Sequence, residues 1–270
     1  MKFDILVLMT SFNRKEKTIA SLTQLNKIEN LHLKVILVDD DSSDGTTEHV
    51  TKYFPQVLVI NGTGSLFWAK GMKLAENSAR RLGYSAKYVL LLNDDVFLFQ
   101  DVFLKMFHYA EISASSMIGP VEDSESGRLS YGGLVKSGLH PLNFKLRQEL
   151  DQVWIPDVFH ANVALIRYGD FESVEGIDDG FAHAYADFDL ALRLSKNKCR
   201  ILVFNKIVGS CDPNPFVVQG NIIERLTLLN SNKGRPWKSQ YKYLRRHTNS
   251  SILAIIFTIS PYIKMIILKK

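Results

Sequence analysis

Cysteine is nearly absent from this 270-residue chain: Cys199 and Cys211 are the only two. Two cysteines cannot build a disulfide framework, and their spacing matches no metal-ligand pattern. A reducing cytoplasm is the simplest compartment for such a chain. No apolar run reaches the ~20 residues that a spanning helix needs. The longest candidate, residues 252–268, has 17 residues and contains Pro261 and Lys264. The apolar start is short, follows Asp4, and runs into Thr10-Ser11-Phe12-Asn13-Arg14 with no small-residue cleavage site. A first strand is therefore expected there, not a signal peptide. Gly62-Thr63-Gly64-Ser65 precedes a helical pattern but lacks the third glycine of a dinucleotide fingerprint and the lysine of a P-loop, which argues against NAD binding. No internal repeat is visible.

Hydrophobic residues make up 46% of the chain, which fits a packed globular core. The formal charge of +5 is unevenly placed. Residues 221–270 carry ten Lys/Arg against one acid, Glu224, a net +9, whereas residues 1–220 carry 23 against 27, a net −4. An acidic body with a basic tail suggests a tail that meets anions: lipid headgroups, phosphates or nucleic acid. A merely solvated basic helix is the bland alternative.

The first hundred residues alternate between strand and helix patterns. Strands are expected at 3–9, 33–38, 57–60 and 88–92. Helices are expected at 14–28, from Asp44 or Thr46 to Tyr53, and at 67–82. Near-continuous apolar strands separated by helices imply a parallel sheet covered on both faces. Ligands of such sheets sit at the C-terminal strand ends. The segments 10–14, 39–41, 62–65 and 93–95 all fall there. Residues 119–156 read as short strands and loops. Beyond them come a strand at 163–166, a helix at 184–196, a strand at 201–204, a loop at 205–215, and helices at 217–229 and 238–247. The division expected is a domain over 1–215 and a basic, apolar C-terminal unit over 216–270. The segment 252–268 is expected to anchor at a membrane interface, or else to dock on the protein or on a second subunit.

The acids carry the chemistry. Tyr88-Val89-Leu90-Leu91-Leu92-Asn93-Asp94-Asp95 is a buried strand pattern ending in carboxylates. Val38-Asp39-Asp40-Asp41 follows another apolar run, and Asp187-Phe188-Asp189 lies far downstream. Carboxylates converging on one cleft repel unless a metal or cationic groups offset them. A hard cation such as Mg²⁺ or Mn²⁺ prefers oxygen ligands and is often held by one or two carboxylates plus phosphates.

Four segments together resemble one family. They are Ile5-Leu6-Val7-Leu8-Met9-Thr10-Ser11-Phe12-Asn13-Arg14; Val38-Asp39-Asp40-Asp41-Ser42-Ser43-Asp44-Gly45-Thr46; Leu92-Asn93-Asp94-Asp95-Val96; and Tyr185-Ala186-Asp187-Phe188-Asp189-Leu190-Ala191-Leu192-Arg193. In order and spacing, over roughly residues 3–205, they resemble the family 2 glycosyltransferases of the GT-A fold. Bacterial rhamnosyl- and galactosyltransferases that build surface polysaccharides are similar. The resemblance implies an α/β, Rossmann-like, mostly parallel central sheet with helices on both faces, followed here by a helical membrane-associating tail.

The resemblance also implies roles. Asp95 is the metal ligand, for Mn²⁺ or Mg²⁺, and Asp94 hydrogen-bonds the ribose. Asn93 stands where many relatives carry Asp. Asp39 and Asp40 face the base, usually uracil or thymine, with Thr10 nearby. Asp41 replaces a common glycine, so the turn is expected to differ. Asn13, Arg14 and Lys70 complete the nucleotide contacts, although Arg14 has salt-bridging to an acid as its alternative. Asp44 is read as a helix cap. Asp187 is the general base, the second position of a Glu-Asp pair whose first is Ala186 here, with a helix cap as its structural alternative. Trp68, His160, His183 and Asp189 are candidate sugar or acceptor contacts. Trp68 reads equally as core, and Asp189 pairs with Arg193 at i+4 in the structural alternative.

The function expected is an inverting, metal-dependent glycosyltransferase. It uses a UDP- or dTDP-linked donor and a glycan or glycolipid acceptor, and it lies peripherally at the cytoplasmic face of the inner membrane. A sugar nucleotidyltransferase is disfavoured, because the loop after the first strand contains no glycine. A nucleotide-sugar-binding or membrane scaffold without turnover is the non-enzymatic alternative, kept open by Ala186. A nucleic-acid partner is not expected; the basic tail is its sole support.

Overall fold

The computed structural model describes residues 2–181, 184–212, 221–231 and 234–267. Its first third alternates as read: β1 (Lys2–Ser11), α1 (Lys15–Asn26), β2 (Leu33–Asp39), α2 (Thr46–Tyr53), β3 (Leu58–Asn61), α3 (Phe67–Arg81) and β4 (Ser85–Leu92). Then come β5 (Phe97–Leu98), α4 (Gln100–Ser113), β6 (Ser116–Ile118), β7 (Val121–Asp123), β8 (Leu129–Tyr131), β9 (Gly133–Lys136), β10 (Phe144–Leu146) and β11 (Val158–Phe159). The remainder holds β12 (Val163–Arg167), α5 (Tyr168–Ser173), α6 (Ala186–Lys196), β13 (Ile201–Val203), β14 (Gly209–Cys211), α7 (Ile222–Leu229), α8 (Trp237–His247) and α9 (Ser251–Ile267).

The main sheet has seven strands in the order β13-β6-β12-β4-β1-β2-β3. β1 pairs in parallel with β2 and β4, and β2 with β3. β12 runs antiparallel to both β4 and β6. The chain winds outward from β1 to β3 and then returns to the other side of β1 as β4. That reversal opens a crevice between the C-terminal ends of β1 and β4, where open α/β sheets bind ligands.

Alternation along the strands splits the core into two layers. Ile5, Val7 and Met9 of β1 pack with Leu22, Leu25, Val50, Phe103, Met106 and Phe107, so α1, α2 and α4 cover one face. Leu6 and Leu8 pack with Met72, Ala75, Phe171, Leu190 and Leu194, so α3, α5 and α6 cover the other. Tyr243 of α8 and Ala254 of α9 join this second layer. The C-terminal helices are therefore seated on the domain. The expected boundary at residue 215 and residues 217–220 of the expected helix lie outside the described residues. Asn221 starts α7 with a capping box closed by Glu224.

Three local readings need correction. Residues 209–211 are a strand rather than loop, because β14 is paired on both sides by β5 and β7. The helix expected from 184 begins at Ala186, after Tyr185 takes a left-handed φ of 72°. Residues 100–113 form a helix that the sequence pattern does not reveal. Their apolar positions follow directly on Val96-Phe97-Leu98-Phe99, so the helical period merges with the strand run before it.

A buried ionic knot joins α6 to α8. Asp189 is completely buried and accepts from Arg193 Nε at 2.7 Å, Arg246 Nη1 at 2.8 Å and His247 Nε2 at 2.9 Å. Arg246 reaches on to Asp178 at 2.7 Å, where Lys242 also binds at 2.6 Å. Burial opposes ionisation of Asp178, yet Lys242, the Gly180 N–H and Arg246 together hold its carboxyl down at about 2. Asp189 is likewise held low against its burial by His247, Arg193 and Arg246. Removing one member leaves buried charge uncompensated, which costs roughly 3–5 kcal/mol. Asp189→Ala is accordingly expected to lower the urea-unfolding free energy by about that amount; a loss under ~1 kcal/mol would show that the knot does not hold the two helices.

Candidate active site

The site is built on the four strand ends that border the crevice. Leu92 closes β4, and Asn93-Asp94-Asp95 leave the sheet together. Asp94 is buried, and the two adjacent carboxylates share one cation. Arg14 Nη1 lies 2.7 Å from Asp95 Oδ2 and 3.4 Å from Asp94 Oδ1. The sequence left Arg14 with two alternatives, phosphate or acid; here it takes the acid. Burial first, and then the charge of Asp95, push the Asp94 carboxyl up to about 6 against the pull of Arg14, Ser11 and Thr18. The other oxygen of Asp95, Oδ1, is buried with no hydrogen-bond partner. An ionised acceptor left bare costs free energy unless something electropositive meets it. A hard cation fits that oxygen, so the residues present suit the Mn²⁺ or Mg²⁺ expected from the sequence.

The three acidic clusters do not merge into one metal cage. Among the described residues no group of three or more His, Cys, Asp or Glu side chains could hold an ion. Asp39 and Asp40 show why. Asp40 is buried, and its carboxylate accepts the backbone N–H groups of Thr63, Gly64, Leu66 and Phe67 at 2.8–3.2 Å. It thereby shapes the loop between β3 and α3. Asp39 accepts from the Ser42 N–H and the Thr47 hydroxyl. Asp41 holds φ at 64°, the left-handed conformation that a glycine adopts without strain.

The first loop is stapled to the second. Asn13 Oδ1 accepts the Ser43 N–H at 2.8 Å, and the Asn13 N–H donates to Ser42 Oγ at 2.9 Å. Asp44 accepts the Thr46 N–H at the start of α2 and the Lys15 N–H at the start of α1, close to the capping role read from sequence. Thr10 faces α3: a Cβ on Gly71 would stand 2.4 Å from its Oγ1, so only glycine fits opposite. Lys70, in the first turn of α3, is exposed. Trp68 donates its indole N–H to Asn93 Oδ1 at 2.9 Å, tying α3 to the acidic strand end.

Asp187 sits in the first turn of α6, where its Oδ1 accepts the Phe188 N–H at 2.9 Å. Burial pushes its carboxyl up to about 6, partly countered by the N–H groups of Phe188 and Ala161. Ala161 leads to the acidic strand end, because the next carbonyl, Asn162 O, accepts the Asn93 N–H at 3.0 Å. Antiparallel pairing of Val163 with Leu92 thus brings the downstream acid to the same edge of the sheet as Asp94 and Asp95. His160 packs at a tilt against Phe188 (centroids 5.8 Å apart) and edge-to-face against Tyr131 (5.3 Å). Burial lowers its imidazole to about 4, so it is neutral at pH 7, and its Nδ1 is unpartnered. Tyr131, raised to about 12 chiefly by burial, is close enough to feel Asp95 and Arg14. The sequence reading missed Tyr131, which lies on a three-residue strand with no motif around it. His183 lies outside the described residues. Asp189 follows the structural alternative, pairing with Arg193 inside the knot described above.

A raised carboxylate has a stability signature. Because the folded form holds its proton more tightly than the unfolded one, Asp187 contributes stability below about pH 4 that is lost as the pH rises through about 6. Asp187→Asn is therefore expected to stabilise the protein at pH 7 by up to about 3 kcal/mol and to be neutral near pH 3. Thermal or urea melts at both pH values check this; destabilisation at pH 7 would contradict the buried-charge account.

The sequence profile described as Glycosyl transferase family 2 matches residues 6–172. A search of the curated proteins gave no match. Among solved structures, residues 1–349 of TarS from S. aureus superpose with a TM-score of 0.63 at 13% identity, covering 97% of this chain and 71% of that one. The same TarS fragment in complex with UDP-GlcNAc gives a TM-score of 0.62 at 11% identity, covering 97% and 72%. This chain spans 44% of the longer TarS structure. The mannosyltransferase PcManGT from Pyrobaculum calidifontis, solved with GDP-Man and Mn²⁺, superposes with a TM-score of 0.56 at 15% identity, covering 98% of this chain and 70% of that one. With more than half its length matched by the family and its mixed α/β sheet fitting the GT-A fold, the protein belongs to glycosyl transferase family 2 and is a glycosyltransferase.

Proposed function

We propose that the protein is an inverting, metal-dependent glycosyltransferase that moves a sugar from a UDP- or dTDP-linked donor to a hydroxyl of a glycan or lipid-linked glycan in bacterial surface polysaccharide synthesis. The observation that carries this reading is the shared sheet edge. A carboxylate pair with one bare, buried oxygen on Asp95 and a third carboxyl, Asp187, raised to about 6 by burial, lie at the same edge of the sheet. Binding of UDP-GlcNAc by one structural neighbour and of GDP-Man with Mn²⁺ by another supports a nucleotide-sugar donor.

Asp95 is assigned to hold the cation and Asp94 the ribose. Bound there, Mn²⁺ or Mg²⁺ would supply Lewis-acid stabilisation of the departing diphosphate. Thr10, Asn13, Asp39 and Asp40 shape the base pocket, with Asp40 acting through the loop whose amides it holds. Lys70 supplies positive charge toward phosphate, while Arg14, paired with Asp95 and Asp94, offsets the charge of the two acids. Asp187 accepts the acceptor hydroxyl's proton as that oxygen bonds to the anomeric carbon and the carbon–phosphate oxygen bond breaks on the opposite side. The nucleoside diphosphate leaves with the electron pair. Neutral His160, with Trp68 and His183, is assigned to hydroxyls of the sugar or acceptor. A carboxyl titrating near 6 is ionised at neutral pH yet basic enough to share a proton, the range favoured for a general base. The reading includes a cytoplasmic location with peripheral contact at the inner face of the membrane through the C-terminal helices.

Nucleoside diphosphate release from a panel of UDP- and dTDP-sugars with Mn²⁺ tests this. Turnover is expected with at least one donor, rising with pH through about 6. Asp187→Asn should cut turnover about 10²–10⁴-fold while keeping the nucleotide-induced thermal shift. Equal rates in the two proteins would remove the base assignment. Asp95→Asn should abolish the response to added Mn²⁺, and an unchanged metal response would remove the ligand assignment.

A further inference from the structure

The outer face of α9 is apolar and uncovered. Ile252, Ile255, Ile256, Ile259 and Ile263 recur at steps of three and four residues, and each is 47–70% exposed. They form one stripe along the helix. The opposite face is already in use. Ala254 and Thr258 are buried, Phe257 packs on the His140 ring with centroids 4.6 Å apart, and the Phe257 carbonyl accepts Gln240 Nε2 at 3.0 Å. The helix is thus fixed to the domain by one stripe while a second, equally apolar stripe faces outward. At the Ile263 end, Tyr262 donates to the Arg235 carbonyl at 3.0 Å, next to Trp237, which is 48% exposed. A large aromatic beside an aliphatic stripe is the composition of a membrane–water boundary.

We infer that this outer stripe docks on an anionic lipid surface, lying in the plane of the bilayer rather than crossing it. The inference rests on the membrane contact of the proposed function and assigns it a face and a lipid chemistry. Crossing is disfavoured because 17 helical residues span only ~25 Å against a hydrocarbon core of ~30 Å, and because the inner stripe is occupied by protein. Among the described residues no helix is long and apolar enough to cross a membrane. Charge decides between lipid and a second copy. Residues 221–270 hold ten Lys/Arg against one acid; Arg235, whose carbonyl meets Tyr262 of α9, and Lys238 and Arg245 on the neighbouring α8 are exposed. Pairing two such faces would set like charges against each other, whereas anionic headgroups attract them. The docked helix also fixes the active site. α9 packs on α8, and Arg246 and His247 of α8 grip Asp189 on the helix that carries Asp187. Lipid docking therefore sets the base at a constant height over the bilayer, suited to an acceptor that is itself membrane-borne.

The test is co-sedimentation of the full chain with phosphatidylcholine vesicles, with and without phosphatidylglycerol. Ile255→Ser/Ile256→Ser is the variant, and the thermal shift with UDP and Mn²⁺ reports on fold and donor site. Wild type is expected to pellet with the anionic vesicles and to be released by salt, while the variant binds at least ~10-fold more weakly with an unchanged thermal shift. Absence of vesicle binding, or equal binding to vesicles lacking phosphatidylglycerol, would overturn the inference. A wild-type dimer that the variant dissociates, without vesicle binding, would also overturn it by assigning the face to a second copy. Salt-sensitive vesicle binding in a protein that shows no UDP shift would support the docking face and count against the donor reading alone.

Discussion

Two carboxylates forced side by side at the end of a buried strand are the constraint around which the rest of the molecule is arranged. Asp94 and Asp95 leave β4 with Asp94 almost without solvent, and like charges so placed raise each other's free energy. Arg14 relieves part of that, bridging both at 2.7 and 3.4 Å. Its position is set at a distance. Asn13 is bonded to the loop after β2, and Lys15 next to it is held by Asp44. The bare Oδ1 of Asp95 is what the arrangement leaves unsatisfied. In the proposed reading that oxygen takes a cation arriving with a diphosphate, the cost of leaving it bare having been met by folding.

The surrounding loops show how such a site is kept rigid. Asp40 spends its whole carboxylate on four amides of the next loop, and Asp39 holds its own turn. These acids preorganise the crevice wall. Across the crevice, α6 carries two acids with opposite fates. Asp187 is desolvated and lifted toward 6, whereas Asp189, two residues on, is held low by two arginines and a histidine. Environments that separate the behaviour of neighbouring carboxyls distinguish a group that exchanges a proton from one that stays charged. Asp189 secures the helix, which lets Asp187 tolerate its unfavourable setting.

Much of this was legible in the sequence, for physical reasons. β1, β2 and β4 are buried on both faces over most of their length, so they read as apolar runs, and the polar segments at their ends mark the edge that carries the candidate site. Helix α6 and the acids on it were also visible. The uses of Asp39 and Asp40 were not, because the amides that satisfy Asp40 come from residues 63–67 and appear only once β3 is paired beside β2. Of the partners of Asp189, Arg193 at i+4 was legible, whereas Arg246 and His247 lie more than fifty residues downstream. Strands β7 to β11 have two to four residues each, too short for a period to show, and they exist through pairing rather than local preference. The long helix α4 was hidden by the apolar run that precedes it. Tyr131 could have been found only from its neighbour across space, His160.

The most direct measurement is anomalous diffraction from crystals soaked with Mn²⁺ and UDP. The account predicts a manganese peak on the Asp95 carboxylate, with the diphosphate between it and the N-terminus of α3 and with Asp187 facing the same crevice. A manganese site remote from Asp95, or UDP bound away from the ends of β1 and β4, would contradict it.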